Sequence, residues 1–282
     1  MNSKSSQLRA SLSSTKRIVI KIGTRVLVNE HGNPDRVRIE NLVSQMARLQ
    51  AEGREITLVT SGAIGAGMEA LGLATKPTVL AELQMAAAVG QCRLMSIYEQ
   101  FFLASGICVG QVLLTYDDFK NTTRNYNAKM TMLALLKRRV VPIINENDVV
   151  AVEEIKVGDN DVLAAFVTQL IDAELLVLLS TTDGLMDTSG ENSVKIPYVP
   201  AVTARELGFV GIKESELSTG GMASKLQAAQ LAVSSGALAV IADGREKDAI
   251  LRVVAGEEVG TLIGVAGKGG DNGPIQSNEV RQ

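Results

Sequence analysis

The sequence predicts an α/β fold, a mostly parallel central sheet with helices on both faces. Short runs rich in β-branched residues are apolar throughout instead of alternating, as strands buried on both faces are. Stretches of helical length lie between them. Several of these runs end in polar or glycine-rich turns, and such strand ends of an open α/β sheet are where ligands bind.

Arg17 to Gly23, R-I-V-I-K-I-G, is the first strand. Lys21 interrupts it at the carboxyl end, a place that favours service to an anionic ligand over snorkelling to the sheet edge. Arg36 to Glu52 carries Val37, Leu42, Val43, Met46 and Leu49 on an approximate helical stripe, closed by Gly53. Ile56 to Thr60 is the second strand and runs into S-G-A-I-G-A-G, Ser61 to Gly67. Its glycines leave backbone N–H groups open, a cradle for a carboxylate or phosphate. The segment matches neither the P-loop nor the G-x-G-x-x-G fingerprint.

Thr78 to Ser105 is a long alanine-rich helix packing through Leu80, Leu83, Val89, Leu94, Ile97 and Phe101. Met85, Met95, Met130 and Met132 read as gap-filling core residues. Ile107 to Leu114 is the third strand, Thr122 to Arg139 a helix whose K-R-R end suits its dipole, and Val140 to Asn145 the fourth strand. Asp161 starts a helix through Asp172, and Leu175 to Leu179 is a strand ending in S-T-T-D-G. From Met186 to Lys213, around Pro197 and Pro200, the pattern weakens into an excursion read as a small ribbon or flap. S-T-G-G-M-A-S-K, Ser218 to Lys225, opens a helix to Gly236; backbone donors, a dipole end and a lysine there suit an anion, and an ordinary cap with an exposed lysine is the equal alternative. A strand from Ala237 to Ile241, a helix from Asp248 to Val254 and a strand from Thr261 to Val265 close the order.

Within 282 residues, 46% of them hydrophobic, no internal repeat or strong linker appears. The expected organisation is a disordered extension over 1–15, a single domain over 16–265 and a flexible tail over 266–282. A formal net charge of -3 and 3% aromatic residues give no footing for nucleic acid. No apolar run is long enough for a membrane span. Cys92 and Cys108 lack metal spacing and are expected as buried, reduced thiols of a cytoplasmic protein.

The densest polar chemistry lies in Pro142 to Asp161, P-I-I-N-E-N-D-V-V-A-V-E-E-I-K-V-G-D-N-D. So many carboxylates and amides between apolar segments need something cationic among them, since buried unpaired charge is costly. A metal, an ammonium group or lysines from elsewhere could supply it. Lys21, Ser61, Asn145 to Asp148, Ser180 and Thr181 should open onto one edge of the sheet, joined by the helix starts at Asp159 to Asp161 and Thr219 to Lys225. That inventory suits phosphoryl transfer, in which the protein positions groups and neutralises charge. His31, the chain's single histidine, sits in a turn-like segment. An anionic acceptor such as a carboxylate is therefore inferred, because it is already ionised and needs no general base, although an aspartate could serve as one.

The segments V-I-K-I-G-T, V-T-S-G-A-I-G-A-G, A-A-V-G-Q, V-P-I-I-N-E-N-D, I-K-V-G-D-N-D and S-T-G-G-M-A-S-K-L-Q-A-A resemble, in order, the glutamate 5-kinases of the amino acid kinase family, in a short form without a C-terminal PUA domain. The resemblance implies an amino acid kinase-like sandwich that phosphorylates the side-chain carboxylate of L-glutamate with ATP, the first step of proline biosynthesis. By the same resemblance Lys21 and Lys225 hold the transferring phosphate and Asp161 organises both. Ser61, Asp148 and Asn160 bind glutamate, with Asp148 on the α-ammonium. Lys21, Ser180, Thr181 and the segment Thr219, Gly220, Gly221, Met222, Ala223, Ser224 and Lys225 meet the nucleotide. Mg2+ lies between its phosphates without protein ligands of its own. The resemblance also implies a homo-oligomer and feedback binding of proline. The chain departs at Ser180-Thr181, where similar proteins often carry Thr-Asp.

N-acetylglutamate kinase is the nearest alternative, but an acetamide matches a dense Asn and Asp cluster poorly. A nonenzymatic nucleotide or amino-acid sensor is a further one; retention of Lys21 and Lys225 speaks against it.

Overall fold

A computed structural model of the chain describes residues 3–30, 32–151, 160–188, 193–209 and 221–265. Its strands are β1 (Arg17–Ile22), β2 (Glu55–Val59), β3 (Val109–Leu114), β4 (Val141–Glu146), β5 (Leu175–Ser180), β6 (Leu185–Asp187), β7 (Val194–Ile196), β8 (Tyr198–Val199), β9 (Leu238–Asp243) and β10 (Thr261–Ile263). Among the described residues one eight-stranded sheet runs in the order β3-β4-β2-β1-β5-β9-β10-β8. It is parallel from β3 to β9, and β10 pairs antiparallel to β9. The chain therefore leaves β1 toward β2 on one side and returns as β5 on the other. Such a reversal of winding opens a crevice at the carboxyl ends of the strands.

The helices are α1 (Ser3–Leu12), α2 (Thr24–Leu27), α3 (Arg36–Ala51), α4 (Ala63–Leu71), α5 (Leu80–Ala104), α6 (Tyr116–Lys120), α7 (Thr122–Lys137), α8 (Asn160–Leu170), α9 (Ala204–Gly208), α10 (Met222–Ser234) and α11 (Ala249–Val254). They cover two cores, one on each face of the sheet. Ile18, Ile20, Leu175 and Val177 pack with side chains of α3, α5 and α11, whereas Val19, Leu176 and Leu178 pack with those of α8 and α10. This alternation follows from the period of two along a strand. None of the described helices is long and apolar enough to cross a membrane.

Several expectations are corrected. The extension expected to be disordered is α1, with Leu8 and Leu12 buried. Arg9 holds it in place: Nη1 donates to the carbonyls of Glu257 and Val259 at 2.6 and 3.2 Å, and Nη2 to those of Pro197 and Gly260 at 2.9 and 3.2 Å. Those acceptors come from the other end of the chain, so a polar N-terminus gave no local hint of them. Cys92 and Cys108 are exposed. Cys92 falls off the buried stripe of α5, which runs through Gln91, Leu94, Tyr98 and Phe102, and Cys108 precedes the edge strand β3. Met85, Met130 and Leu80 are likewise exposed, whereas Met132 is fully buried.

The expected ribbon exists as the antiparallel pair β6–β7. Residues 210–213 of the same excursion, His31 and the tail over 266–282 lie outside the described residues.

Candidate active site

Strand parity decides where Lys21 goes. It follows Val19 by two residues and so projects to the face covered by α8 and α10. Both helices bring a charge to it in their first turns. Lys21 Nζ lies 2.6 Å from Asp161 Oδ1, and Lys225 Nζ lies 2.9 Å from Asp161 Oδ2. All three side chains are buried, that of Asp161 completely.

Burial works to raise the Asp161 carboxyl, but the ammonium groups of Lys21 and Lys225 outweigh it and hold it below the usual carboxylate range. Two ammonium groups thus meet one carboxylate in a low-dielectric place. An anion about 4 Å from one such charge gains about 4 kcal/mol at an effective dielectric of 20, against about 1 in bulk water.

The lysines open onto a cleft of about 860 Å³ at the carboxyl ends of the strands. Sheet order divides its wall. Over β2 and β4 lie Ser61, Gly62, Asn145, Glu146, Asp148 and Asn160; over β5 and the start of α10 lie Ser180, Thr181, Gly184, Gly221 and Met222. Lys21 and Gly23, from β1 between them, stand at the seam with Lys225. The divided cleft therefore suits two ligands meeting at an anionic group.

On the β2–β4 side, Asn160 Nδ2 reaches the carbonyl of Thr60 at 2.8 Å, Asn145 Oδ1 at 2.9 Å and Ser61 Oγ at 3.0 Å. An amide nitrogen has only two protons for these acceptors, so the Ser61 hydroxyl remains free to turn toward a ligand. Burial pushes the Asp148 carboxyl up from its ordinary value, which makes it a receptive partner for a cation.

Most residues singled out in the sequence meet here. Lys21, Ser61, Asp148, Asn160, Ser180, Thr181, Gly221, Met222 and Lys225 line the cleft, and Asp161 stands behind the lysines. Ala223 and Ser224 follow in α10 without lining it. Thr219, Gly220 and Asp159 lie outside the described residues. The glycine segment divides: Gly62, at φ +98, and Gly65 line the cleft, whereas Gly67 is a helix contact, since a Cβ there would stand 1.8 Å from the carbonyl oxygen of Ala86 on α5. Arg25 and Lys76 also line the cleft and were not anticipated. Arg25, two residues beyond Gly23, could have been found from its strand-end position; Lys76, in the connection between α4 and α5, carries no comparable signal.

Residues 16–243 match the amino acid kinase family. Glutamate 5-kinase of Moorella thermoacetica is 48% identical over 260 residues, covering 91% of this chain and 69% of that protein. Glutamate 5-kinase of Clostridium tetani is 44% identical over 253 residues, covering 89% of this chain and 95% of that one. Among solved structures, carbamate kinase from Giardia lamblia bound to AMP-PNP superposes with a TM-score of 0.62 at 14% identity, covering 89% of this chain and 99% of its own. UMP kinase from Bacillus anthracis does so at 0.60 and 14%, covering 89% and 96%. At such identities these two structures speak for the fold alone.

Proposed function

The chain belongs to the amino acid kinase family, and we propose that it phosphorylates the side-chain carboxylate of L-glutamate with ATP, yielding L-glutamyl 5-phosphate and ADP, the first step of proline biosynthesis. The observation that carries this reading is the convergence of Lys21 and Lys225 on Asp161 at the seam of a divided cleft.

The nucleotide occupies the β5 side, against Ser180, Thr181, Gly221 and Met222, and its γ-phosphate rests between the lysines. Glutamate occupies the β2–β4 side. Asp148 takes the α-ammonium, Ser61 and Asn160 hold polar groups of the substrate, and the side-chain carboxylate faces the phosphorus. An oxygen of that carboxylate forms a bond to the γ-phosphorus while the bond to the β,γ-bridging oxygen breaks and ADP departs. The acceptor is ionised at neutral pH, so no base has to remove a proton. Lys21 and Lys225 stabilise the charge spread over the transferring group, and Asp161 keeps both aimed at it.

Mg2+ accompanies the nucleotide in this reading. Among the described residues no group of three His, Cys, Asp or Glu side chains forms a metal cluster. In this reading the ion is carried on the nucleotide's phosphates and lowers their charge. A homo-oligomer, a cytoplasmic location and binding of proline at the glutamate half, its ammonium on Asp148, complete the proposal.

A coupled assay of ADP release across L-glutamate, N-acetylglutamate, aspartate and carbamate tests it. Turnover is expected with L-glutamate above the others. Preference for the acetylated substrate would reassign the chain to another kinase of this fold, and no glutamate-dependent ADP release would remove the assignment.

A further inference from the structure

The two halves of the cleft wall differ in charge. Beyond Asn160 in the chain, the described residues that line the cleft carry one charged side chain, that of Lys225 at the seam. The opposite wall bears Lys76, Glu146 and Asp148. In the uncharged half the apolar side chains of Leu179, Met186, Phe209 and Met222 alternate with hydroxyls such as those of Thr188 and Ser193. A wall of this kind suits a neutral, largely apolar group, and phosphates do not belong against it.

Phe209 follows α9 and is the one aromatic side chain among the described residues of the cleft lining, in a chain with 3% aromatic residues. Three contacts fix it. Its ring is partly buried against the core on the α8–α10 face of the sheet. The guanidinium carbon of Arg205 lies 5.7 Å from the ring centroid and takes one face. Thr188 Oγ1, at the end of the β6 arm, donates to the Phe209 carbonyl at 3.5 Å. The ring is therefore held over the β5 side of the cleft, on the far side of Met222 from the glycine segment of β2.

We propose that Phe209 is the residue on which the nucleobase stacks, and that the excursion carrying it is the outer wall of a base pocket. The inference rests on the reading of the β5 side as the nucleotide's. A triphosphate whose terminal group sits between Lys21 and Lys225 lays its base away from the seam. The base is its one large, planar, uncharged part, and every base offers a π-face to an aromatic ring. The thioethers of Met186 and Met222 adapt to the remaining surface. Hydroxyls of Thr188 and Ser193 can each donate or accept, so they meet the polar edge of a base without fixing its identity.

Steady-state kinetics and fluorescence on the full chain test the inference. Phe209→Leu keeps an apolar side chain and removes the ring. It is expected to raise the KM for ATP about tenfold, as loss of a ring under one base usually does, with the KM for L-glutamate within about twofold of the parent. Inorganic tripolyphosphate carries the phosphates and no base, so its inhibition constant against ATP should stay within about twofold in the same variant. The chain contains no tryptophan. Phe209→Trp therefore places a single indole in the pocket, and its emission should change on addition of ATP and not of tripolyphosphate.

An unchanged KM for ATP in Phe209→Leu, or equal weakening of ATP and tripolyphosphate, overturns the stacking role and leaves the segment as a cover that excludes water. Should thermal melting show that Phe209→Leu does not fold, the emission of Phe209→Trp decides: a response to ATP alone supports the role, and a response to both ligands or to neither removes it. A parent chain that binds ATP in calorimetry but releases no ADP with L-glutamate is a different failure, of the acceptor reading, and the emission test still decides on Phe209.

Discussion

Lys21 Nζ stands 2.6 Å from Asp161 Oδ1, although the lysine ends the first strand of the sheet and the aspartate begins the helix that follows the fourth. Lys225, from a third distant segment, takes the other oxygen at 2.9 Å. A buried carboxylate thus anchors two cations that would otherwise repel each other.

Lys225→Ala should lower kcat about a thousandfold while leaving the KM for L-glutamate within about threefold, because its contact with the transferring phosphoryl group tightens in the transition state. Initial-rate kinetics over both substrates checks this. An unchanged kcat with weaker binding of ATP and glutamate would show the lysine to be a binding group only.

Asp161→Asn leaves Lys21 and Lys225 buried without their shared counter-charge. Breaking a buried ion pair from one side costs about 3–5 kcal/mol, so the melting temperature should fall markedly. Added ATP should recover more stability in this variant than in the parent, since its phosphates replace the missing negative charge. Calorimetry with and without nucleotide reads both effects.

Asp161 and Asp148 predict different acid behaviour. The folded-state pKa of Asp161 is lowered, so its contribution to stability is present above the ordinary value of 3.8 and is lost as pH falls through the depressed one. The folded-state pKa of Asp148 is raised by burial, so it takes up its proton above 3.8, at a pH where Asp161 is still ionised. The kcat/KM for L-glutamate should therefore decline on acidification before the melting temperature does. Asp148→Asn should raise the KM for glutamate, leave that for ATP unchanged and remove this acid limb. Coincident declines of stability and kcat/KM in the parent would contradict the assignment.

Deletion of residues 1–12 should lower the melting temperature. Charge-assisted hydrogen bonds from a guanidinium contribute about 1.5–3 kcal/mol each at most, and Arg9 spreads its own over four carbonyls at the β8–β10 edge. Arg9→Gln should reproduce much of the loss. A truncated chain that melts with the parent would mean that α1 contributes nothing to stability.

Gly90→Ala should be among the most damaging single-methyl additions, because the methyl would meet the backbone of Ala63 at 1.7 Å and backbone yields less readily than a flexible side chain. Overpacking of this kind costs about 1–3 kcal/mol or more, and melting of the variant measures it.

Much of this protein is legible in its sequence. The apolar runs ending at Ile22, Val59, Glu146 and Ser180, the helices between them and the polar residues at their carboxyl ends follow from periodicity and turn chemistry, which act over a few neighbouring residues. The pairing of N-E-N-D with K-V-G-D-N-D is the most specific part of the resemblance to the family that the sequence carries. Tertiary structure alone decided that β1 lies between β2 and β5 and so sets Lys21 on the seam of the cleft. It alone divided the glycines of S-G-A-I-G-A-G between the cleft wall and a helix contact, turned the amides of Gln91, Asn145 and Asn160 in one sense, and carried the N-terminal helix to the far edge of the sheet. Each of these depends on groups remote in sequence competing for the same buried space and the same few hydrogen-bond partners, and local pattern holds no record of that competition.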